Sequence, residues 1–192
     1  MNEYLNTDIL LKAYRQGFFP MAEGKKGEIH WYSPDPRAII PFERIKVPKS
    51  VRQSIKREEF IFKIDTAFEE VIIRCSERAD CWISEDIIDA YAMFYNLGFA
   101  HSVETFKDGK LVGGLYGVSI GGAFFGESMF TEITNASKSA FYYLAYHLMS
   151  KGFILLDTQF VNPHTESLGA IEIPREVYLK ILNRAVNMKV SF

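Results

Sequence analysis

Apolar and polar residues alternate most regularly between residues 101 and 130, and this alternation predicts three consecutive strands. Short segments containing Asp108-Gly109 and Gly121-Gly122 separate the strands, and such pairs favour tight turns. Tight turns join antiparallel neighbours. The pattern therefore predicts an antiparallel meander with strands at 101–106, 111–118 and 123–130.

Glycine is dense within and beside these strands, at positions 113, 114, 117, 121, 122 and 126. Glycine in a strand marks a bulge or a close backbone approach, which is typical of a curved sheet under a helix or of a ligand-facing sheet. Glu127 favours the ligand-facing sheet. A carboxylate within the apolar stretch 124–130 has to be exposed, paired or functional.

Helical spacing of apolar residues predicts helices in most of the remaining chain. The clearest are a helix at 85–97, which Ser84 caps, and one that begins at Asn135 and ends at residue 151. The other predicted helices lie at 7–17, 47–60, 68–75, 165–169 and 175–182. Strands are predicted at 61–65 and 153–160, and the second is apolar enough to be a buried interior strand. The fold class is therefore α+β.

The order of the C-terminal elements resembles that of the acyl-coenzyme A acetyltransferase superfamily, because a meander, a helix, a strand and a closing helix follow one another. The resemblance implies an acetyltransferase-like (GNAT-like) mixed sheet flanked by helices. Residues 64–192 are expected to form this catalytic domain, and residues 1–63 a small N-terminal α/β domain. A shared fold does not define a function, so the function has to come from the site.

Polar residues interrupt the apolar strand at 153–160. Asp157 and Gln159 are two positions apart, so they project from one face, and Glu127 lies on the last strand of the meander. If these strands are neighbours, two acids and an amide converge. Two interpretations stay open: a buried structural cluster whose acids are satisfied by His164 or a lysine, and a site that holds an ammonium group and takes its proton.

The predicted helix at 47–60 carries a basic stripe of four residues, Lys49, Arg52, Lys56 and Arg57. Such a stripe is usually a solvated helix face, and a surface that contacts phosphate groups is the alternative. The net charge of −2 for 192 residues neither indicates nor excludes nucleic-acid binding, because a local basic patch binds phosphate whatever the total charge.

Composition places the chain among globular proteins, with 48% hydrophobic and 15% aromatic residues. The N-terminal residues lack the layout of a signal peptide, and no apolar run approaches the roughly 20 residues of a membrane span, so a cytoplasmic protein is expected. Cys75 and Cys81 have no metal-binding spacing with histidines and are interpreted as reduced thiols.

Short motifs along the whole chain resemble those of one enzyme family. The motifs occupy residues 31–37 (WYSPDPR), 66–68 (TAF), 82–83 (WI), 97–104 (LGFAHSVE), 111–118 (LVGGLYGV), 125–130 (FGESMF), 135–138 (NASK), 156–159 (LDTQ) and 164–175 (HTESLGAIEIPR). In this order and spacing, from about residue 5 to residue 182, the chain resembles the leucyl/phenylalanyl-tRNA protein transferases.

The resemblance implies that leucine or phenylalanine passes from charged tRNA to the α-amino group of proteins that begin with Arg or Lys. Methionine is a further expected substrate, because an apolar pocket discriminates only weakly between such side chains. The products would enter N-degron degradation. The resemblance also implies no metal and no cofactor, with aminoacyl-tRNA as co-substrate. An aminoacyl ester is already activated, so direct aminolysis needs alignment of the amine and stabilisation of the oxyanion, without a covalent nucleophile.

The resemblance also assigns roles to individual residues. Asp157 and Gln159 would orient or activate the attacking amine, and Glu127 would help to place it. The pocket for the transferred side chain would consist of Trp82, Leu115, Phe124, Leu144, Leu148 and Leu156. The tRNA phosphates would contact Lys49, Arg52, Lys56 and Arg57.

Two other functions are compatible with the predicted fold. A coenzyme A-dependent N-acetyltransferase would carry a basic, glycine-containing pyrophosphate loop before the helix that follows the meander, whereas residues 130–135 read FTEITN. A non-catalytic tRNA- or peptide-binding module would have kept the sheet and lost the chemistry. The presence of Glu127, Asp157 and Gln159 together favours an enzyme.

Overall fold

The computed structural model of the chain describes residues 5–57, 59–78 and 81–192. Within these ranges the helices are α1 (Thr7–Arg15), α2 (Lys49–Lys56), α3 (Phe68–Ser76), α4 (Glu85–Asn96), α5 (Ala136–Lys151), α6 (Pro163–Ser167) and α7 (Arg175–Val186). The strands are β1 (Phe19–Ala22), β2 (Ile29–Tyr32), β3 (Arg37–Ile39), β4 (Ile61–Ile64), β5 (Ala100–Lys107), β6 (Lys110–Ile120), β7 (Ala123–Thr131), β8 (Leu155–Gln159) and β9 (Ile171–Ile173). A short 3-10 helix covers Phe42–Arg44.

The main sheet has seven strands in the order β4-β5-β6-β7-β8-β3-β9. Its strands pair antiparallel except at β7 and β8, which are parallel. The hairpin of β1 and β2 forms a separate two-stranded sheet. These contacts confirm an α+β fold with a mostly antiparallel sheet flanked by helices.

Two groups of buried apolar residues cover the main sheet. The first core cluster joins the sheet to α1, α3, α4 and α7, and includes Tyr116 on β6. The second joins it to α2 and α5, and includes Leu115 on the same strand. Because successive side chains of a strand point to opposite faces, the two clusters lie on the two sides of the sheet.

The predicted meander is confirmed, and each strand is slightly longer than the alternation indicated. Asp108 and Gly109 have φ of 49° and 75°, as a two-residue hairpin turn requires. A Cβ at Gly113 would lie 2.7 Å from the Cβ of Ala136, so glycine allows α5 to begin directly against β6. At this position the structure supports the interpretation of a sheet packed under a helix.

Most predicted helices are confirmed, with differences at their ends. The helix predicted at 47–60 is shorter, since α2 covers only Lys49–Lys56, and the last helix extends beyond residue 182 to Val186. The prediction that Asn135 caps α5 is wrong: its φ is 70° and its side chain makes no capping bond. The hydroxyl of Thr131 accepts instead from the backbone N–H of Ser137, at 3.4 Å.

The sequence did not indicate β1, β2, β3 or β9, which are four residues long or shorter. β3 inserts between β8 and β9, so a strand from the N-terminal part of the chain completes the main sheet. β4 (Ile61–Ile64), at the other edge, crosses the predicted boundary between residues 63 and 64. The division into domains at residues 1–63 and 64–192 stays a prediction. β3 and most of β4 lie on its N-terminal side and belong to the seven-stranded sheet, whereas β1 and β2 form a sheet of their own.

Cys75 and Cys81 are buried free thiols, as expected. Burial raises the pKa of Cys75 to about 12, which removes its thiolate at neutral pH. In the described part of the chain, no helix has both the length and the apolarity that crossing a membrane requires.

Candidate active site

Parallel pairing of β7 with β8 brings the three predicted polar residues together. Phe125 pairs with Asp157 in this register, so the residues two positions further along, Glu127 and Gln159, also lie side by side. The Gln159 amide donates from Nε2 to Oε1 of Glu127 at 3.1 Å. The backbone N–H of Gln159 donates to Oδ1 of Asp157 at 2.9 Å.

The Asp157 carboxylate is completely buried and fully hydrogen-bonded. Arg37 on β3 donates from Nε to Oδ1 at 3.0 Å and from Nη2 to Oδ2 at 2.7 Å. The hydroxyl of Tyr178 on α7 donates to Oδ2 at 2.6 Å. The interpretation in which His164 or a lysine satisfies this acid is therefore wrong, because Arg37 does so.

Arg37 is itself 1% exposed, which makes this a buried ion pair. Its remaining amino group, Nη1, donates to the carbonyl oxygen of Gly17 at 3.0 Å. Burial lowers the pKa of Arg37 and the charge of Asp157 raises it, and the net pKa lies above the ordinary value. The pair is charged and neutralised within the protein, which is the condition for burying two ions.

Glu127 is the titratable group of the site. Burial is the main cause that raises the pKa of its carboxyl to about 8, against hydrogen bonds that lower it. The hydroxyl of Tyr14 donates to Oε1 at 2.7 Å, and that of Tyr91 to Oε2 at 3.4 Å. The two tyrosines also hydrogen-bond to each other. Glu127 is therefore mostly protonated at neutral pH and becomes a carboxylate just above it.

A cavity of about 840 Å³ opens beside this group. Glu127 and Gln159 line it, whereas Asp157 lies behind them, outside the lining. The apolar lining consists of Ile40, Trp82, Leu115, Met129, Phe130, Phe141, Leu144, Leu156 and Leu168, with Tyr116 beside them. The volume is within the range of sites for small molecules.

Four of the six residues predicted for the side-chain pocket line this cavity: Trp82, Leu115, Leu144 and Leu156. Phe124 and Leu148 do not line it. Both are 0% exposed and belong to the second core cluster.

The four basic residues predicted to contact tRNA are all exposed, on α2 and at its end. Their helix carries no acidic residue in its first turn. Arg57 pairs with Glu59, with 3.5 Å between Nη1 and Oε1. None of the four lines the cavity, so this basic surface is separate from the Glu127 site.

Sequence reasoning missed Arg37, Tyr14, Tyr91 and Tyr178. Arg37 is the last residue of the motif at 31–37. The apolar residues 38–40 that follow it could have indicated that its side chain is buried. The tyrosines lie on apolar helix faces, where a buried aromatic residue gives no indication of its hydroxyl partner.

Among the residues that the structure describes, no group of three or more His, Cys, Asp or Glu side chains could hold a metal ion. The predicted absence of a metal and of a cofactor stays a prediction.

A roomy cavity that combines apolar and polar walls, with a titratable carboxyl of raised pKa among them, is typical of an enzyme active site. A family profile described as leucyl/phenylalanyl-tRNA protein transferase matches residues 39–183, and the profile of the N-terminal domain of that family matches residues 4–35. The chain belongs to the leucyl/phenylalanyl-tRNA protein transferase family.

Full-length relatives agree with this assignment. A leucyl/phenylalanyl-tRNA protein transferase of Gloeobacter violaceus is 49% identical, covering 98% of this chain and 97% of the relative. One of Chlorobaculum tepidum is 48% identical, covering 98% and 99%. The structure of L-PGS from Bacillus licheniformis has a TM-score of 0.49 and 9% identity, covering 96% of this chain and 71% of that one, and no conclusion follows from so weak a likeness.

Proposed function

We propose that this enzyme transfers leucine, phenylalanine or methionine from charged tRNA to the α-amino group of proteins that begin with Arg or Lys, which marks them for degradation. The observation that carries the proposal is the protonatable Glu127 beside Gln159 in the wall of a cavity that apolar side chains also line. The apolar walls suit the transferred side chain, and the polar wall suits an amine.

The proposed reaction is direct aminolysis. The amine nitrogen attacks the ester carbonyl carbon, the bond to the ribose oxygen breaks, and the proton lost by nitrogen passes through Glu127 to the leaving oxygen. The pKa of Glu127, about 8, is close to the value of about 7.7–8.0 for an α-amino group, so proton transfer between them is nearly balanced. Alignment in the cavity supplies much of the remaining rate enhancement.

Asp157 has the role of an anchor in this proposal. Its oxygens already accept from Arg37, Tyr178 and the backbone of Gln159, and it is 0% exposed, so an incoming ammonium has no access to it. Gln159 is held with φ of 60°, an uncommon conformation for a non-glycine residue. With Nε2 directed to Glu127, its side-chain carbonyl oxygen is the group that accepts from the ammonium.

The acceptor's basic first side chain fits the acids of the cavity. Glu77 lines it in addition to Glu127 and pairs with no cation among the described residues, and a carboxylate favours a nearby cationic side chain. The donor's source, charged tRNA, is a cytoplasmic molecule, and we propose the cytoplasm as the enzyme's compartment.

The finer fold assignment is also a proposal. The meander β5-β6-β7, the helix α5 and the parallel strand β8 follow one another in the acetyltransferase order, which supports a GNAT-like catalytic domain. A small N-terminal domain that includes α1 and the β1-β2 hairpin agrees with the separate two-stranded sheet.

The test of the function is transfer of radiolabelled leucine from charged tRNA to peptides that differ only in their first residue. Peptides beginning with Arg or Lys are expected to be labelled, and one beginning with Ala is not. Equal labelling of all three would contradict the proposed acceptor preference, and no labelling would contradict transfer itself. Acetyl-coenzyme A in place of charged tRNA tests the acetyltransferase alternative in the same assay.

The apolar wall leads to a prediction about donor choice. Leu144→Ala enlarges the cavity, so it is expected to lower leucyl transfer more than phenylalanyl transfer, changing the ratio of their kcat/KM values by about 10-fold or more. Leu148→Ala is the matched control, since Leu148 is one turn further along α5 and does not line the cavity. Both substitutions remove a buried leucine, so an equal shift of the ratio in both would show that the cavity wall does not select the donor.

The basic residues of α2 lead to a prediction about tRNA affinity. Reversing two charges together, Arg52→Glu with Lys56→Glu, is expected to weaken tRNA binding and to flatten its dependence on salt, because fewer counterions are then released. Binding is measured by filter retention at several salt concentrations. The control reverses Lys107 and Lys110 beside the exposed β5-β6 turn, and an equal loss there would point to a general charge effect.

A further inference from the structure

One part of the cavity wall is basic and has no place in the aminolysis described above. Arg78 and His164 both line the cavity and both contact Met129, two positions after Glu127 on β7. Arg78 donates from Nη2 to the carbonyl oxygen of Met129. The ring nitrogen Nε2 of His164 lies 2.8 Å from the Met129 sulfur. Both side chains therefore lie against Met129 in the cavity wall.

Lys138 is a third basic residue beside the cavity, although it does not line it. It follows Ser137, a cavity-lining residue in the first turn of α5. Burial lowers the pKa of His164, and the charges of Lys138 and Arg78 lower it further, in agreement with their place in the first turn of α5 and in the cavity wall. Arg78, Lys138 and His164 are called the basic cluster below.

Two cations of the basic cluster have no carboxylate partner among the residues that the structure describes. Arg74, another cation of the wall, is neutralised by ion pairs with Glu70 and Glu132. In the ranges that the structure describes, neither Arg78 nor Lys138 takes part in an ion pair, and the lining acid Glu77 pairs with neither of them. A concave wall with unneutralised cations attracts an anion.

The distance between the basic cluster and the carboxyl of Glu127 indicates which anion the cluster can bind. Met129 is two strand residues from Glu127, and at about 3.3 Å per residue the basic cluster is about 7 Å along β7 from the carboxyl. The aminoacyl ester reacts beside Glu127, and the nearest anion of a charged tRNA is the phosphate of the same terminal nucleotide, one ribose away from the ester.

We propose that the basic cluster binds the phosphate group of the nucleotide that carries the amino acid. The inference rests on the proposed placement of the ester beside Glu127. It assigns the enzyme a second phosphate-binding region, since the basic residues of α2 do not line the cavity. The cluster thereby fixes the end of the donor, whereas α2 would hold the body of the tRNA.

The test compares two minimal donors, leucyl-adenosine with and without a 5′-phosphate, in the full-length enzyme. The measured quantity is the ratio of kcat/KM with the phosphate to kcat/KM without it. Lys138→Gln and Arg78→Gln are each expected to lower this ratio about 10-fold, because each removes a charge-assisted contact to phosphate. Lys138→Arg is expected to keep the ratio, and Lys110→Gln on the β5-β6 turn is the control for a lost surface charge.

A ratio that stays unchanged in both glutamine variants would overturn the proposal, as would equal losses with the two donors. Binding is checked separately by NMR titration of His164 with adenosine 5′-monophosphate, which is expected to raise the histidine pKa in the wild type and less in the variants. No change in the wild type would also overturn the proposal. If the nucleotide binds there but no donor supports transfer, the proposed function fails and the phosphate site stands.

Discussion

Replacing Glu127 with glutamine is expected to lower kcat/KM for leucyl transfer about 100- to 10,000-fold, the usual contribution of a positioned proton acceptor. Glutamine keeps the shape of the side chain: its carbonyl oxygen can accept from Tyr14 and its NH2 group can donate to the hydroxyl of Tyr91, so the cavity should remain intact. The affinity for leucyl-adenosine, measured by calorimetry, is expected to stay within about twofold. A variant that transfers leucine at the wild-type rate would contradict the role of Glu127.

The pH dependence of the transfer rate also tests the role of Glu127. Because the carboxylate is the acceptor form and the pKa of Glu127 is about 8, the rate rises as pH increases through about 8. Hydroxylamine is a suitable acceptor for this measurement, since it is already unprotonated in this range and leaves Glu127 to control the rise. In Glu127→Gln the rise is expected to disappear.

Glu104→Gln provides a matched control for the loss of a buried carboxyl. Glu104 on β5 is 0% exposed, burial raises its pKa, and it accepts hydrogen bonds from Ser102 and Thr66, away from the cavity. Its replacement is expected to leave both the rate and the pH profile unchanged. An equal loss of activity in the two variants would mean that neutralising any buried acid disturbs the enzyme.

Replacing Arg37 with leucine is expected to lower the free energy of unfolding by about 3–5 kcal/mol, the cost of leaving one member of a buried ion pair without its partner. Urea unfolding at neutral pH measures the change. Transfer activity is expected to fall as well, because Asp157 no longer has a fixed position from which to hold Gln159.

Two further variants separate the charge effect from the loss of packing. Arg37→Leu combined with Asp157→Leu removes both charges and is expected to recover much of the lost stability without recovering activity. Arg74→Leu breaks only the partly exposed pairs with Glu70 and Glu132, and should cost less than about 1 kcal/mol. If Arg37→Leu were no more costly than Arg74→Leu, the Arg37 pair would have no special structural role.

The sequence predicted the elements that have strong local patterns. The meander, α4 with its Ser84 cap, and the buried strand β8 all followed from periodicity and from turn or capping residues. Glu127 and Gln159 were predicted to lie close together only if their strands are neighbours in the sheet. The parallel pairing of β7 with β8 makes them neighbours. The roles of these residues stay predictions.

The partners of the acids could not be predicted, for a physical reason. β3 and β9 are three residues long, too short for any periodicity, so nothing placed Arg37 beside Asp157. The hydroxyls of Tyr14 and Tyr91 reach Glu127 only through tertiary packing of α1 and α4. A single chain's local pattern does not contain such contacts, whereas it does contain the period of a helix or strand.

The insertion of β3 between β8 and β9 has a consequence for the order of events during folding. Arg37 and Asp157 are 120 positions apart, and Tyr178, the other side-chain partner of Asp157, lies still closer to the C-terminus. Contacts of such long range form only after a large loop has closed, which is entropically slow. During synthesis on the ribosome, the chain therefore completes the hydrogen bonds of Asp157 only when its last helix has emerged, so unfinished chains are expected to lack the complete proposed site.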